Sequence, residues 1–348
     1  MRVLVTGTQG YLGCLLAPLL IDDGHEVVGL DTGFYKNGWL CPLHPAGVHG
    51  RLEPPTWARD IRDVTVEDLG GFDAIVHAAE LSNDPLGELI GDITFEVNHR
   101  GSVQLAERAK RAGVSRFVYM SSCSVYGVAE GIVDETSPIN PITSYAKCKA
   151  LVERDLIAMA DDDFSPTVLR NPTAFGASPR MRFDIVLNNL AGLAWTEHHI
   201  AVTSDGSPWR PLVHVLDVAQ AVRCALRAAR QTVHSLVVNV GSEENNCTVR
   251  EIAEIVSAEF PGCELTFGPP SIDNRSYRAA FGKIREVLPD FHAAWDVAAG
   301  AAQLHRVFTS VAMDAETFYG RGHNRLNQIE YLLKTGQVDE CLFWRERE

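Results

Sequence analysis

Between Ser121 and Lys149 the chain reads SSCSVYG, then a polar loop, then SYAKCK, which gathers two hydroxyls, a phenol and an ammonium into one stretch. Tyr145 and Lys149 stand four residues apart, so on a helix they share one face, one turn from each other. An ammonium beside a phenol favours the phenolate and draws the tyrosine below its ordinary pKa of about 10. A tyrosine tuned in that way can exchange a proton with a substrate hydroxyl near neutral pH. A serine hydroxyl delivered from a separate strand end would orient the same oxygen. Such a set moves a proton while a hydride moves elsewhere, and the rest of the chain must then supply a hydride acceptor.

The elements that would position these groups can be read around them. Arg116–Met120 is an apolar run that delivers Ser121 and Ser122 at a strand end. At the other end of the chain, Arg2–Thr6 is a strand leading into Gly7-Thr8-Gln9-Gly10-Tyr11-Leu12-Gly13, an apolar helix (Leu12–Leu20), Gly24, and a second strand (His25–Leu30) that ends in Asp31. Glycines at this turn let backbone approach a pyrophosphate, and the helix N-terminus behind them stabilises the anion. Asp31, 18 residues past Gly13, sits where a carboxylate accepts from both ribose hydroxyls of adenosine. The same carboxylate would repel a 2′-phosphate, so the expected cofactor is NAD, not NADP. Strand, glycine triplet, helix, strand and acid in that order make a far stronger signal than glycines alone.

Residues 32–58, rich in Gly, Pro and aromatics, read as a long ordered loop near the adenine. Phe72–His77 is the next strand, ended by Ala78-Ala79. Small residues there let a cofactor lie against the backbone, or equally let a helix pack closely on the strand. Asn98 follows on a helix whose Val103, Leu105, Ala106, Ala109 and Ala112 are most simply core.

The composition narrows the class of function. A net charge of −14 argues against nonspecific binding to nucleic acid or anionic membranes, and requires a phosphate-bearing ligand to be received locally. No apolar run is long enough to span a bilayer, and the MRVLVTG start lacks a signal-peptide layout. Eight scattered cysteines without a CxxC pair fit free thiols in a reducing cytoplasm, with no metal site expected.

TGTQGYLG, Asp31, Asp60-Ile61, HAA, Asn98, SSCSVYG and YAKCK together resemble, in order and spacing, the extended short-chain dehydrogenase/reductases, the nucleotide-sugar epimerases and dehydratases. The likeness covers roughly residues 1–290. It implies an α/β fold: a doubly wound Rossmann parallel sheet with a smaller C-terminal α/β substrate domain. The expected division is residues 1–172 with a returning segment at about 210–240, and 173–348 for the substrate half with a helical extension. The resemblance makes Ser122, Tyr145 and Lys149 catalytic. It puts Gly7, Gln9, Gly10, Tyr11, Leu12, Gly13, Asp31, Asp60, Ile61, Ala78, Ala79, Asn98, Tyr145, Lys149 and Pro172 against NAD. Ser122, Cys123, Thr173, Asn189, Arg210 and Arg275 would face a nucleotide-sugar substrate, with Arg210 and Arg275 as a diphosphate clamp. Thr173 stands where the family pattern has asparagine; Arg180 and Arg182 are further candidates, and Asp217 is expected to cap the helix it opens. A homodimer through the helix carrying Tyr145 is implied as well, with Ala150, Leu151, Val152, Leu156 and Ile157 available for it or for core. Ala298–Val311 and a helix bearing Leu326, Ile329, Leu332 and Leu333 read as a packed hairpin that covers either the substrate cleft or a subunit interface.

Within such a family the extra groups decide the reaction. Similar 4,6-dehydratases carry an Asp-Glu pair directly after the catalytic hydroxyl residue, where this chain has Cys123 and Ser124. Neither protonates a leaving hydroxyl or removes a C5 proton as a carboxylate would. The resemblance therefore implies 4-epimerisation of an NDP-hexose, a UDP-sugar first, through a 4-keto intermediate. An NAD(P)-dependent NDP-sugar dehydrogenase or ketoreductase or a dehydratase-like enzyme, and a non-catalytic NAD-binding regulator, are the alternatives.

Overall fold

Val3-Leu4-Val5, Ala74-Ile75-Val76 and Phe117-Val118-Tyr119 are apolar on both faces, the pattern of parallel strands covered by helices on each side. The computed structural model describes residues 1–41, 53–82, 84–270 and 276–345. Among them, seven parallel strands form the large sheet: β1 (Arg2–Thr6), β2 (Glu26–Asp31), β3 (Thr56–Ala58), β4 (Ala74–His77), β5 (Arg116–Ser122), β6 (Ser165–Asn171) and β7 (Leu236–Asn239). Their spatial order is β3-β2-β1-β4-β5-β6-β7. The chain winds outward from β1 on one side, returns across it and winds outward on the other, so the fold is a doubly wound Rossmann sheet. Register places Thr6 beside His77 and Ser122 beside Asn171, which aligns the carboxyl ends of these strands along one edge. Ligands of doubly wound sheets bind outside that edge.

Helices α1 (Gly13–Asp22), α2 (Ser102–Arg111), α3 (Ser144–Met159), α4 (Val186–Thr196), α5 (Val215–Arg227), α6 (Val249–Glu259), α7 (Val297–Ser310) and α8 (Arg325–Lys334) sort onto separate cores. Leu16 and Leu20 of α1 pack with Val222 and Leu226 of α5 against Val3, Val5 and Val118 on one face of the sheet. Leu105 of α2 and Val152 and Leu156 of α3 cover Leu4, Ile75 and Phe117 on the other. Val152 and Leu156 are therefore core, while Ala150, Leu151 and Ile157 are half-buried. A second core joins Leu187 and Ala191 of α4, Ile252 and Val256 of α6, and Leu304 and Phe308 of α7. A fourth cluster joins Ile329 and Leu332 of α8 to Phe34, Leu81 and Leu86.

Four expectations are corrected here. The 32–58 stretch is not all loop: Thr56–Ala58 adds an edge strand to β2, and residues 42–52 lie outside the described residues. Asp217 does not cap α5. The His214 ring accepts from the Leu216 amide, and Asp217 instead accepts from the Ala294 and Trp295 amides at 3.0 and 3.2 Å. The C-terminal helices do not form a hairpin, because α7 belongs to the second core and α8 to the cluster around Phe34. The Asn98 helix is also interrupted: Phe95–Gly101 is π-helical before α2 begins. No helix among the described residues is long and apolar enough to cross a membrane.

Candidate active site

A cavity of about 720 Å³ runs along the carboxyl edge of the sheet. Its nucleotide end is built by the glycine turn. Gly7 has φ +77°, and a Cβ there would stand 3.0 Å from the Ala78 carbonyl and the Ala79 amide nitrogen. A Cβ on Gly13 would fall 2.0 Å from the Gly7 oxygen. Turn and strand end are thus pressed together so closely that side chains are excluded, leaving backbone as the cavity wall. No side chain caps the start of α1; the Cys14 and Leu15 amides donate to the Gly10 and Leu12 carbonyls, and the Gly13 amide at the helix start is the one placed to meet an anion. Asp31 lines the same end. Burial pushes its carboxyl up, against the pull of the Gly33 and Gln9 amides that donate to it at 2.7 and 2.9 Å. Asp60 and Ile61 also line the cavity, with Asp60 held by the Arg62 guanidinium at 2.8 Å. A bare backbone cradle, a helix start without a side-chain cap and a carboxylate at the end of β2 fit a dinucleotide without a 2′-phosphate.

The catalytic end is set by β5 and α3. The Thr143 hydroxyl accepts from the Ala146 amide and starts α3 where Tyr145 falls in the first turn and Lys149 in the second. Ser122 ends β5 in extended conformation and accepts from the Ser124 amide at 3.1 Å. Ser122, Tyr145 and Lys149 all line the cavity, with the Lys149 ammonium 5.4 Å from the Tyr145 ring centroid. Below them the structure is closed. Glu153 of α3 pairs with Arg170 of β6 at 2.7 Å and accepts from the Ser121 hydroxyl. Both serines line the cavity, but the Ser121 hydroxyl is spent on Glu153, which leaves Ser122 as the member of the pair open to a ligand.

Glu80, which no sequence argument singled out, completes this end. It follows the Ala78-Ala79 strand end, pairs with the Lys149 ammonium and accepts from the Tyr119 hydroxyl at 2.7 Å. Lys149 also donates to the Met120 carbonyl. Desolvation pulls the Lys149 pKa down, but Glu80 and Tyr145 outweigh it and hold it above the ordinary lysine value. The lysine is kept cationic next to the phenol, where its charge favours the phenolate. The clue available in the sequence was a lone acid directly after an apolar strand end.

Several proposed contacts fall elsewhere. Asn98 does not line the cavity; its amide binds the Leu81 backbone twice, at 2.8 and 3.0 Å, and so shapes a cavity wall from behind. Gln9 contributes its backbone amide to Asp31, with its side chain off the lining. Cys123 is fully buried, its thiol directed at the Arg170 carbonyl and pushed well up by burial, so it cannot touch substrate. Asn189 donates to the Phe183 carbonyl at 3.0 Å and is absent from the lining. Its neighbour Asn188 is a buried staple, donating to the Tyr11 hydroxyl, which itself donates to the Gly176 carbonyl. Arg275 lies outside the described residues. Gly10, Tyr11, Leu12, Ala78, Ala79, Pro172, Thr173 and Arg210 do line the cavity. Arg182 joins them, locked to Asp184 and Ser82, whereas Arg180 turns away to the Tyr35 and Lys36 carbonyls. From the C-terminal segment comes a further lining residue, Arg325.

Comparisons with known proteins agree with this geometry. The sequence profile of the NAD dependent epimerase/dehydratase family matches residues 3–241. UDP-glucose 4-epimerase of Mycolicibacterium smegmatis is 31% identical over 306 residues, spanning 83% of this chain and 92% of the relative. UDP-glucose 4-epimerase of Neisseria meningitidis serogroup C is 29% identical over 268 residues, 69% of this chain and 77% of the relative. Among solved structures, MoeE5 in complex with UDP-glucuronic acid and NAD superposes with a TM-score of 0.76 at 27% identity, covering 89% of this chain and all of the other.

Proposed function

This chain belongs to the NAD-dependent epimerase/dehydratase family, with NAD as its cofactor, and on that premise we propose that it is a nucleotide-sugar 4-epimerase acting on an NDP-hexose. UDP is the first choice of nucleotide: the similar curated proteins are UDP-glucose 4-epimerases, and MoeE5 has been solved with UDP-glucose and NAD. NAD, when bound, supplies the acceptor for a hydride leaving the carbinol carbon and later gives it back. Tyr145 removes the hydroxyl proton at its phenolic oxygen and returns it when the alcohol re-forms. Ser122 hydrogen-bonds the same substrate oxygen and keeps it in line with Tyr145. Lys149, held cationic by Glu80, favours the phenolate that must form. The 4-keto sugar then turns so that hydride returns to its opposite face. Arg210, from the strand Trp209–His214, is our candidate for the substrate diphosphate.

The observation that carries this reading is what stands after Ser122. Cys123 is buried beneath the cavity and Ser124 offers only a hydroxyl. The nearby carboxylate of Glu80 is committed to Lys149 and Tyr119. Dehydration would need an acid free to protonate a leaving hydroxyl. Incubation with UDP-glucose, followed by NMR, should show the C4 epimer forming without net NADH absorbance. A product lighter by one water, or NADH in proportion to substrate, would overturn the proposal.

A further inference from the structure

We propose that Arg325 is a cofactor-binding residue, and that the C-terminal segment Gly320–Trp344 places its guanidinium on the pyrophosphate of NAD. The inference rests on NAD being the cofactor and is independent of which sugar is turned over.

The location of the segment comes first. Its first residues meet the substrate half, the His323 carbonyl accepting from the Phe183 amide at 3.0 Å, and from Leu326 onward it runs along the nucleotide end. The Gln328 amide donates to the Phe34 carbonyl at 2.8 Å, and the Trp344 indole donates to the Thr32 carbonyl at 2.6 Å. The Arg62 guanidinium donates to the Cys341 carbonyl at 2.9 Å and lies 3.8 Å over the Phe343 ring. Thr32 and Phe34 follow directly on Asp31, and Arg62 holds Asp60. Each of these later contacts grips the nucleotide end of the cavity. Ile329 and Leu332 fix α8 there by packing with Phe34 and Leu81.

Arg325 begins α8 and is only 4% exposed, yet it lines the cavity. Its guanidinium lies 3.9 Å over the Tyr35 ring. The backbone amide of Arg325 reaches Asp184, but among the described residues no hydrogen bond or ion pair joins its guanidinium to a protein acceptor. The carboxylates in its surroundings are already engaged: Asp184 accepts from Arg182 at 2.8 and 3.1 Å, and Asp31 accepts from two backbone amides. None of its nitrogens is sealed in the interior, so the five N–H donors open on the cavity and are left for what fills it. Desolvation, with Arg182 adding to it, lowers the Arg325 pKa to about 10. A planar fork of donors facing a cavity, beside a backbone cradle and the carboxylate at the end of β2, suits an oxyanion such as a diphosphate. Arg182 makes the contrast. With its donors spent on Asp184 and Ser82, it has less to offer a ligand.

The test is equilibrium binding to the full chain stripped of cofactor, with no sugar present. Arg325→Met should weaken NAD and ADP-ribose about tenfold to a hundredfold, the range for a lost charged hydrogen bond, and leave adenosine unchanged. Arg325→Lys should recover part of the loss, and it carries the test alone if the methionine variant fails to fold. Unchanged NAD affinity overturns the proposal. So does an equal loss for adenosine, which would make the residue merely structural, and so does a loss confined to UDP, which would assign it to substrate. None of these measurements depends on the sugar epimerised, so failure here leaves the 4-epimerase reading untouched, and failure there leaves this one.

Discussion

The floor beneath Tyr145 and the C-terminal segment each bury a cation, and they treat it in opposite ways. Lys149 is ringed by its own acceptors, the Glu80 carboxylate and the Met120 carbonyl, with the Tyr119 and Tyr145 rings alongside. Arg325 has the Tyr35 ring on one side and the cavity on the other. The first arrangement is complete before any ligand arrives, which is what preorganised proton chemistry requires, since a group that must reorient during reaction adds to the barrier. The second is completed by what it binds. A catalytic cation and a ligand-binding cation can thus be told apart by who supplies the acceptor.

Five changes would break or sharpen that contrast. Tyr145→Phe removes the proton carrier from a floor otherwise intact, so kcat should fall about 10²–10⁴-fold while NAD affinity measured by calorimetry stays constant. Turnover near the parent rate would refute the assignment. Arg170→Met strands Glu153 as a buried charge and should cost about 3–5 kcal/mol in a denaturation experiment. The matching change at the exposed pair, Arg285→Met opposite Glu243, should cost about 0–1 kcal/mol. Equal costs would show that the floor is not the rigid part.

Glu80→Gln tests the cation itself. Glu80 raises the Lys149 pKa in the folded protein, so the charged lysine persists to higher pH than it otherwise would. A lysine with a raised pKa contributes below its unfolded value and loses that contribution as pH climbs through the folded value. Without Glu80 the folded value drops, and the alkaline limb of kcat/KM should move to lower pH. A limb that stays in place while the rate falls would reduce Glu80 to packing. The smallest effect belongs to the segment. Phe343→Ala removes its stacking on Arg62, about 0.5–1 kcal/mol, and should weaken NAD binding about two- to fivefold with kcat unchanged at saturating NAD.

The parts of this design that are local in the chain were legible in the sequence. Arg2–Thr6 reads as a strand because a parallel strand buried on both faces must be a continuous apolar run, and Gly7 marks its end. Tyr145 and Lys149 read as a pair because helical spacing is fixed. Ser122 was separable from Ser121 only by direction. One residue along a strand reverses the side chain, and where β5 breaks into the turn at Cys123 that alternation no longer predicts which atoms meet the cavity. Asn98 and Asn189 are placed against ligands by the family resemblance alone, but each finds a nearer backbone partner. Asp217 lost the capping role to His214 for a similar reason, since two amides 77 and 78 residues away claimed its carboxylate. Glu80 and Arg325 were illegible because their meaning comes from what faces them across the fold: Lys149 for one, Tyr35 and the cavity for the other. Thr56–Ala58 is too short to carry a period at all.

The bond from Trp344 to Thr32 joins residues 312 apart in the chain. On a ribosome, Thr32, next to Asp31, is made 312 residues before Trp344. The ends of β2 and β4 must therefore wait, with Phe34 and Leu81 lacking until then the α8 side chains that cover them. Late arrival of α8 makes the order of assembly vectorial: sheet first, closure last. A nascent chain arrested before Arg325 should expose these apolar groups to chaperones, and extension past Trp344 should release it.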